Sequence, residues 1–363
     1  MPEQLKALTS LRFFAALWVV LFAYWPNLAA GAAPAFVQKG FLGVELFFVL
    51  SGFILCHVYL PGFEEARFRY GKFIWARVAR VYPLHLATLA GIGLLAAAAM
   101  GAGMSVGPGI LSWDTLPANI LMVHAWGFTA EAGWNHPSWS ISAEWFAYLS
   151  FPLFAWLTVK MRHRPLLATG GALALLFVTY LVFQRLTGHS LTQATFAWGA
   201  LRIIPCFALG CAVYLLWRSR AVQGRTTAIS GAAVSVLTLV LLAAAGAPDG
   251  LVVAAGAMLI LFLAACAETG SRLGTHRAWV YLGEISYALY MVAIPWQLVF
   301  VNAAAKLLHL PGKQLPLSIW LAYVIGAVAV AAIAHHLVEK PAREGIRLWG
   351  EQLFAPRRAP ARA

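Results

Sequence analysis

What constrains this chain most is the recurrence of apolar, nearly uncharged runs of membrane length. Ten of them, each of about 17 to 25 residues, lie near 8–28, 41–60, 82–100, 139–159, 166–184, 200–217, 227–246, 249–267, 280–303 and 316–338. Runs of that length match the roughly 30 Å hydrocarbon core when helical, so the expected fold is all-α, with about ten transmembrane helices. Hydrophobic residues make up 61% of the 363 and charged residues 11%, with a mean hydropathy of +0.76. That balance excludes a soluble globular domain.

The basic residues orient the spans. With the N-terminus inside, 20 of the 26 Lys and Arg fall on the cytoplasmic side. The outer loops hold only Lys39, Arg185, Lys306 and Lys313, and Arg12 and Arg202 lie within spans. The rule that positive loops stay inside then puts both termini in the cytoplasm, in a bacterial-type cytoplasmic (inner) membrane. It also accounts for the net charge of +13 without nucleic acid as a partner.

The first span, followed by LAAGAAP, has some look of a signal peptide, but Arg12 inside the apolar run favours a retained span. The outer segment 101–137 carries no Lys or Arg and has turn-forming residues at Gly107, Pro108 and Gly109. Its apolar piece from Asn119 to Trp126 is too short to span and reads as re-entrant or interfacial. Residues 1–340 form one transmembrane domain and 341–363 a basic, flexible cytoplasmic tail. Cys56, Cys206, Cys211 and Cys266 read as packing residues, and the histidines show no metal-binding spacing, so no metal is expected.

Charges inside spans are the first candidates for chemistry, because a carboxylate facing lipid costs about 2.5 to 3.5 kcal/mol and needs a protein partner. Glu45 lies in such a run, as do Arg12, Glu144 and Arg202, and these four sum to zero. Arg77 and Arg80, three apart and therefore on one helical face, stand at a membrane edge as an anion seat.

The run Gly43 to Phe53 (GVELFFVLSGF), followed by Arg77, Arg80 and Pro83, resembles the membrane acyltransferase 3 family. The resemblance extends over nearly the whole chain. Trp139, Ser140, Ser142 and Glu144 resemble its Trp-Ser signature, although the family places one more residue before its acid. Ser286, Tyr287 and Tyr290 resemble its Ser-Tyr segment, and Glu339, Lys340 and Pro341 its closing motif.

The resemblance implies an O-acyltransferase that takes an acyl group from cytosolic acyl-CoA, with acetyl-CoA the first expectation. The acceptor would be a hydroxyl of a carbohydrate or small molecule. The family pattern also expects histidine eleven residues after Arg12 and three after Tyr290, where this chain has Ala23 and Ala293. Eleven residues turn a helix by three turns and about 20°, so Arg12 and position 23 share a face roughly 16 Å apart. Two substitutions among otherwise intact motifs fit a divergent member or a chain altered at both positions, and imply an inactive or weakened site.

Carried onto this sequence, the resemblance assigns catalysis to position 23, Glu144, Glu45, Arg12 and Ser142. It assigns the donor to Arg77, Arg80, Arg12, Tyr82 and Lys340, and the acceptor to Trp139, Ser140, Arg202, Ser286, Tyr287, Tyr290 and position 293. Ser140 and Glu144, four apart, are expected to hydrogen-bond. Depth sorts these residues into a cytoplasmic basic station and an outer polar one. The competing class is a secondary transporter or flippase for a polar or lipid-linked solute, which also places polar residues between helices.

Overall fold

A computed structural model describes residues 5–107, 109–129 and 133–354. Helix α1 (Lys6–Tyr24) precedes a short α2 (Ala35–Gln38), α3 (Gly43–Glu64) and a long α4 (Tyr70–Gly101). The connection from α4 to α6 holds α5 (Leu116–Ile120), and α6 (Ser138–Leu149) and α7 (Phe151–Met161) follow. Then come α8 (Pro165–Thr187), α9 (Gly199–Arg218), α10 (Arg225–Ala244) and α11 (Asp249–Glu268). The chain closes with α12 (Arg277–Glu284), α13 (Ser286–Leu307), α14 (Leu317–Ala334) and α15 (Lys340–Leu353).

Nine helices among the described residues are long and apolar enough to cross a membrane, which makes this a polytopic helical membrane protein. The segment expected to be a tenth span, 139–159, is divided into α6 and α7 at Ser150, with Pro152 in the first turn of α7. Proline cannot donate the hydrogen bond a continuous helix would need there. Broken helices are tolerated at membrane depth where protein covers them. Phe151 and Ala155 are accordingly fully buried.

Close backbone contact between α3 and α9 forms the centre of the bundle. A Cβ at Gly52 would stand 2.2 Å from the Phe207 carbonyl oxygen, and one at Gly210 would stand 2.0 Å from that of Val49. Two glycines facing each other across the crossing let the helix axes approach until backbone touches backbone. The free cysteines are all buried, and Cys211 Sγ points at the Gly52 carbonyl.

The start of α1 lies at the same end of the bundle as the junction of α14 and α15, since Arg12 lines the same cavity as Arg80, which pairs with Glu339. At the far end, Tyr24 stacks on Tyr323 with ring centroids 3.9 Å apart. The piece expected to be re-entrant is inserted among helices there: Asn119, Met122, His124 and Ala125 are fully buried. Its backbone is satisfied by protein, Ala125 N donating to Ser142 Oγ (3.0 Å) and Ala200 N to the Ala125 carbonyl (3.0 Å).

The tail departs from expectation in its first part. Lys340–Leu353 is helical and lies along the start of α4, with Trp75 Nε1 donating to the Ile346 carbonyl (2.7 Å) and ringing against Trp349. Its apolar residues recur at helical spacing on one face, which the basic composition obscured. Residues 355–363 lie outside the described residues.

Candidate active site

A cavity of about 840 Å³, open mouth included, lies between α1, α3, α4, α6 and α13. Its walls carry Arg12, Arg77, Arg80 and Glu144, with the hydroxyls of Ser51, Ser140, Tyr148, Ser286, Tyr287 and Tyr290, and an apolar side from α3. Three cations against one carboxylate suit it to an anionic ligand.

The two stations expected from the sequence are therefore joined at this point. Glu144 is the seventh residue of α6, which places it about 9 Å along the helix from its first residue, on the same cavity wall as the arginines. It does not bond Ser140. A serine inside a helix turns its hydroxyl to the preceding turn, and Ser140 Oγ donates to the Pro137 carbonyl (3.1 Å) and lies 2.9 Å from the Tyr290 hydroxyl. Glu144 instead accepts from Ser51 Oγ of α3 at 2.8 Å.

Several expected site residues lie elsewhere. Glu45 and Arg202 form a closed pair (Nε to Oε1, 2.5 Å) with side chains 0% and 2% exposed. The Arg202 guanidinium sits 4.5 Å above the Trp139 ring and donates to the Ala194 carbonyl, so all three of these residues are committed to one another outside the cavity wall. Ser142 accepts from Ala125 N at its hydroxyl and from Trp126 Nε1 at its carbonyl. Tyr82 is two residues, or about 200°, round the helix from Arg80. It accordingly faces away, donating to the Leu121 carbonyl (3.2 Å). Lys340 is exposed, while its neighbour Glu339 is buried.

Ala23 and Ala293 do not line the cavity. Both lie toward the far end, and Tyr24, next to Ala23, donates its hydroxyl to the Ala293 carbonyl at 2.8 Å. Position 293 continues, one turn further on, the face of α13 that lines the cavity with Ser286 and Tyr290. The face argument made from the sequence thus leads from the cavity toward the two alanines.

Sequence reasoning gave no role to Ser51 and Tyr148. Tyr148 follows Glu144 by four residues and Ser51 follows Phe47 by four, so helical spacing from a known wall residue points to both. Glu339 is singled out through the closing motif, but nothing in its neighbourhood says that Arg80 comes to meet it.

Fold and cavity together define a class: a helical membrane protein holding a cationic, hydroxyl-rich cavity within its bundle. The acyltransferase 3 family, described as an acyltransferase domain, matches residues 5–336, and the chain belongs to it. It is an O-acyltransferase, and the transporter reading falls. The chain is 33% identical to Acyltransferase MdmB of Streptomyces mycarofaciens over 320 residues, 80% of this chain and 78% of that protein. It is 39% identical to Protein 2 in picA locus of Rhizobium radiobacter over 89 residues, 24% of this chain and 44% of that one. No solved structure matches it.

Proposed function

We propose that this acyltransferase takes an acetyl group from cytosolic acetyl-CoA, received at the end of the bundle where α1 begins. It passes the group to a hydroxyl of a carbohydrate or small molecule near the far end, in a bacterial-type cytoplasmic membrane with both termini inside. The observation that carries this reading is the cavity itself, with three arginines converging beside one carboxylate inside the bundle. Phosphates of the donor are the anions that such a cluster suits.

The reaction needs a base for the acceptor hydroxyl. With an imidazole at position 23, the base takes the hydroxyl proton and the oxygen attacks the thioester carbonyl. The C–O bond forms, the C–S bond breaks, and the proton passes from the imidazolium to the departing sulfur. Glu144 and the cavity hydroxyls are the polar groups that can orient the reactants. The chain as it stands has no imidazole at 23 or 293 and carries a weakened site.

The test is transfer of labelled acetyl from acetyl-CoA to a panel of sugars and hydroxylated small molecules. It compares the unaltered chain, Ala23→His, Ala293→His and the double variant. A positioned base contributes roughly 10²- to 10⁴-fold in rate, so Ala23→His, alone or with Ala293→His, is expected to gain on that order. An unaltered chain as fast as the double variant would remove position 23 from the mechanism.

A further inference from the structure

Arg77 and Arg80 face the same cavity in different electrostatic states. Arg80 Nη1 lies 2.7 Å from Glu339 Oε1, and that carboxylate is 1% exposed. Its other oxygen meets His335 Nδ1 at 2.9 Å, and Arg343 approaches to 3.6 Å. The five residues His335–Glu339 form a π-helical turn, a rare geometry, at the junction of α14 and α15. Arg80 also lies over the ring of Tyr287, whose hydroxyl donates to the Val81 carbonyl (2.7 Å). Its guanidinium is therefore both neutralised and held in place.

Arg77 makes no ion pair among the described residues. Its guanidinium is surrounded by the rings of Tyr59, Phe73 and Tyr148 at 5.5 to 5.9 Å and donates to the Tyr59 hydroxyl at 3.1 Å. Its Nε is buried without a partner. Aromatic faces steady a cation without cancelling its charge, whereas a carboxylate cancels it.

We infer a division of labour that rests on the donor reading above: Arg77 receives the donor's phosphate, and Arg80 is a positioning residue that Glu339 holds against Tyr287 to shape the cavity wall. Replacing Arg80 then acts through Glu339, whose carboxylate loses its nearest cation, keeps only His335 and the more distant Arg343, and repels an anion at the seat. Neutralising that carboxylate undoes the damage. Replacing Arg77 removes the receptor itself, and nothing done to Glu339 brings it back.

The experiment is calorimetric titration of CoA into the detergent-purified full chain carrying Arg77→Gln or Arg80→Gln, each with and without Glu339→Gln. Arg77→Gln is expected to weaken binding by about tenfold or more, the size of one charge-assisted hydrogen bond, in both backgrounds. Arg80→Gln alone weakens it comparably, and the double variant Arg80→Gln with Glu339→Gln returns to within about threefold of the unaltered chain. Recovery in both arginine backgrounds, or in neither, overturns the assignment. Should a glutamine variant fail to fold, the lysine pair decides. Arg80→Lys keeps a bridge to Glu339 and binds CoA within about threefold, whereas Arg77→Lys loses the stacked planar cation and falls further. The reverse order overturns it. An unaltered chain that binds no CoA removes the donor reading, and this inference with it.

Discussion

Two places in the bundle bury opposite charges, and they differ in what surrounds them. Glu45 and Arg202 meet at 2.5 Å in a buried contact, capped on one side by Trp139. Arg12, Arg77, Arg80 and Glu144 instead border open space, and positive charge exceeds negative. The first place resembles a core that happens to be ionic: the two charges answer each other through one oxygen and one nitrogen, and although Glu45 Oε2 and Arg202 Nη2 have no further partner, neither residue lines the cavity. In the second, only Arg80 is answered, by Glu339, while Arg77 rests on aromatic rings. A charge within a membrane span thus marks a site only where it stays uncompensated and a cavity reaches it. By that criterion four intramembrane charges that sum to zero say little, because one pair is structural and the other two belong to the cavity.

The comparison is broken most directly at the closed pair. Glu45→Ala strands the Arg202 guanidinium and is expected to cost about 3 to 5 kcal/mol, read by thermal unfolding in detergent. Glu45→Met with Arg202→Met should recover most of that loss. If the single variant kept its stability but lost transfer activity in the Ala23→His, Ala293→His background, the pair would belong to the site.

At the cavity the expectation is reversed. Glu144→Gln should change stability by less than about 1 kcal/mol, since Ser51 can still donate to the amide oxygen. In the background with both histidines restored it should slow acetyl transfer by about tenfold or more, a loss near 1.4 kcal/mol in the barrier. A large melting shift with unchanged kcat would move Glu144 to the structural side.

Salt sharpens the contrast with a smaller effect. The cavity is open, so raising ionic strength from about 0.1 M to 1 M, which shortens the screening length from about 10 to 3 Å, should weaken CoA binding severalfold. The melting temperature should not follow the same trend, because the closed pair excludes ions. The smallest effect concerns the far end, where burial and the neighbouring His85 push His124 down to about 3. The folded protein then refuses a proton that the unfolded chain takes up near pH 6.5. Stability is full above pH 6.5 and declines as pH falls from there toward 3, and His124→Gln should flatten that decline in melts recorded across this range.

The sequence alone determined the class of this protein, because a run of some twenty apolar residues has few stable alternatives to a membrane helix. The family motifs named the chemistry, and helical periodicity put Ser286, Tyr290 and position 293 on one face. It went wrong where two helices must meet. Ser140 and Glu144 share a helix face, yet Ser51 of α3 takes the carboxylate, a choice made by the packing of α3 on α6. Tyr82 and Lys340 sit beside Arg80 and Glu339 in sequence and turn away in space, since one or two residues along a helix rotate a side chain by about 100° or 200°. Neither the pairing of Arg80 with Glu339, 259 residues apart, nor that of Glu45 with Arg202, 157 apart, has any local signal. Sequence fixes which residues carry charge and how deep along its own helix each one lies. Which charges cancel and which face a cavity depends on the rotation and distance of helices about one another, and those come from side-chain packing across the whole bundle.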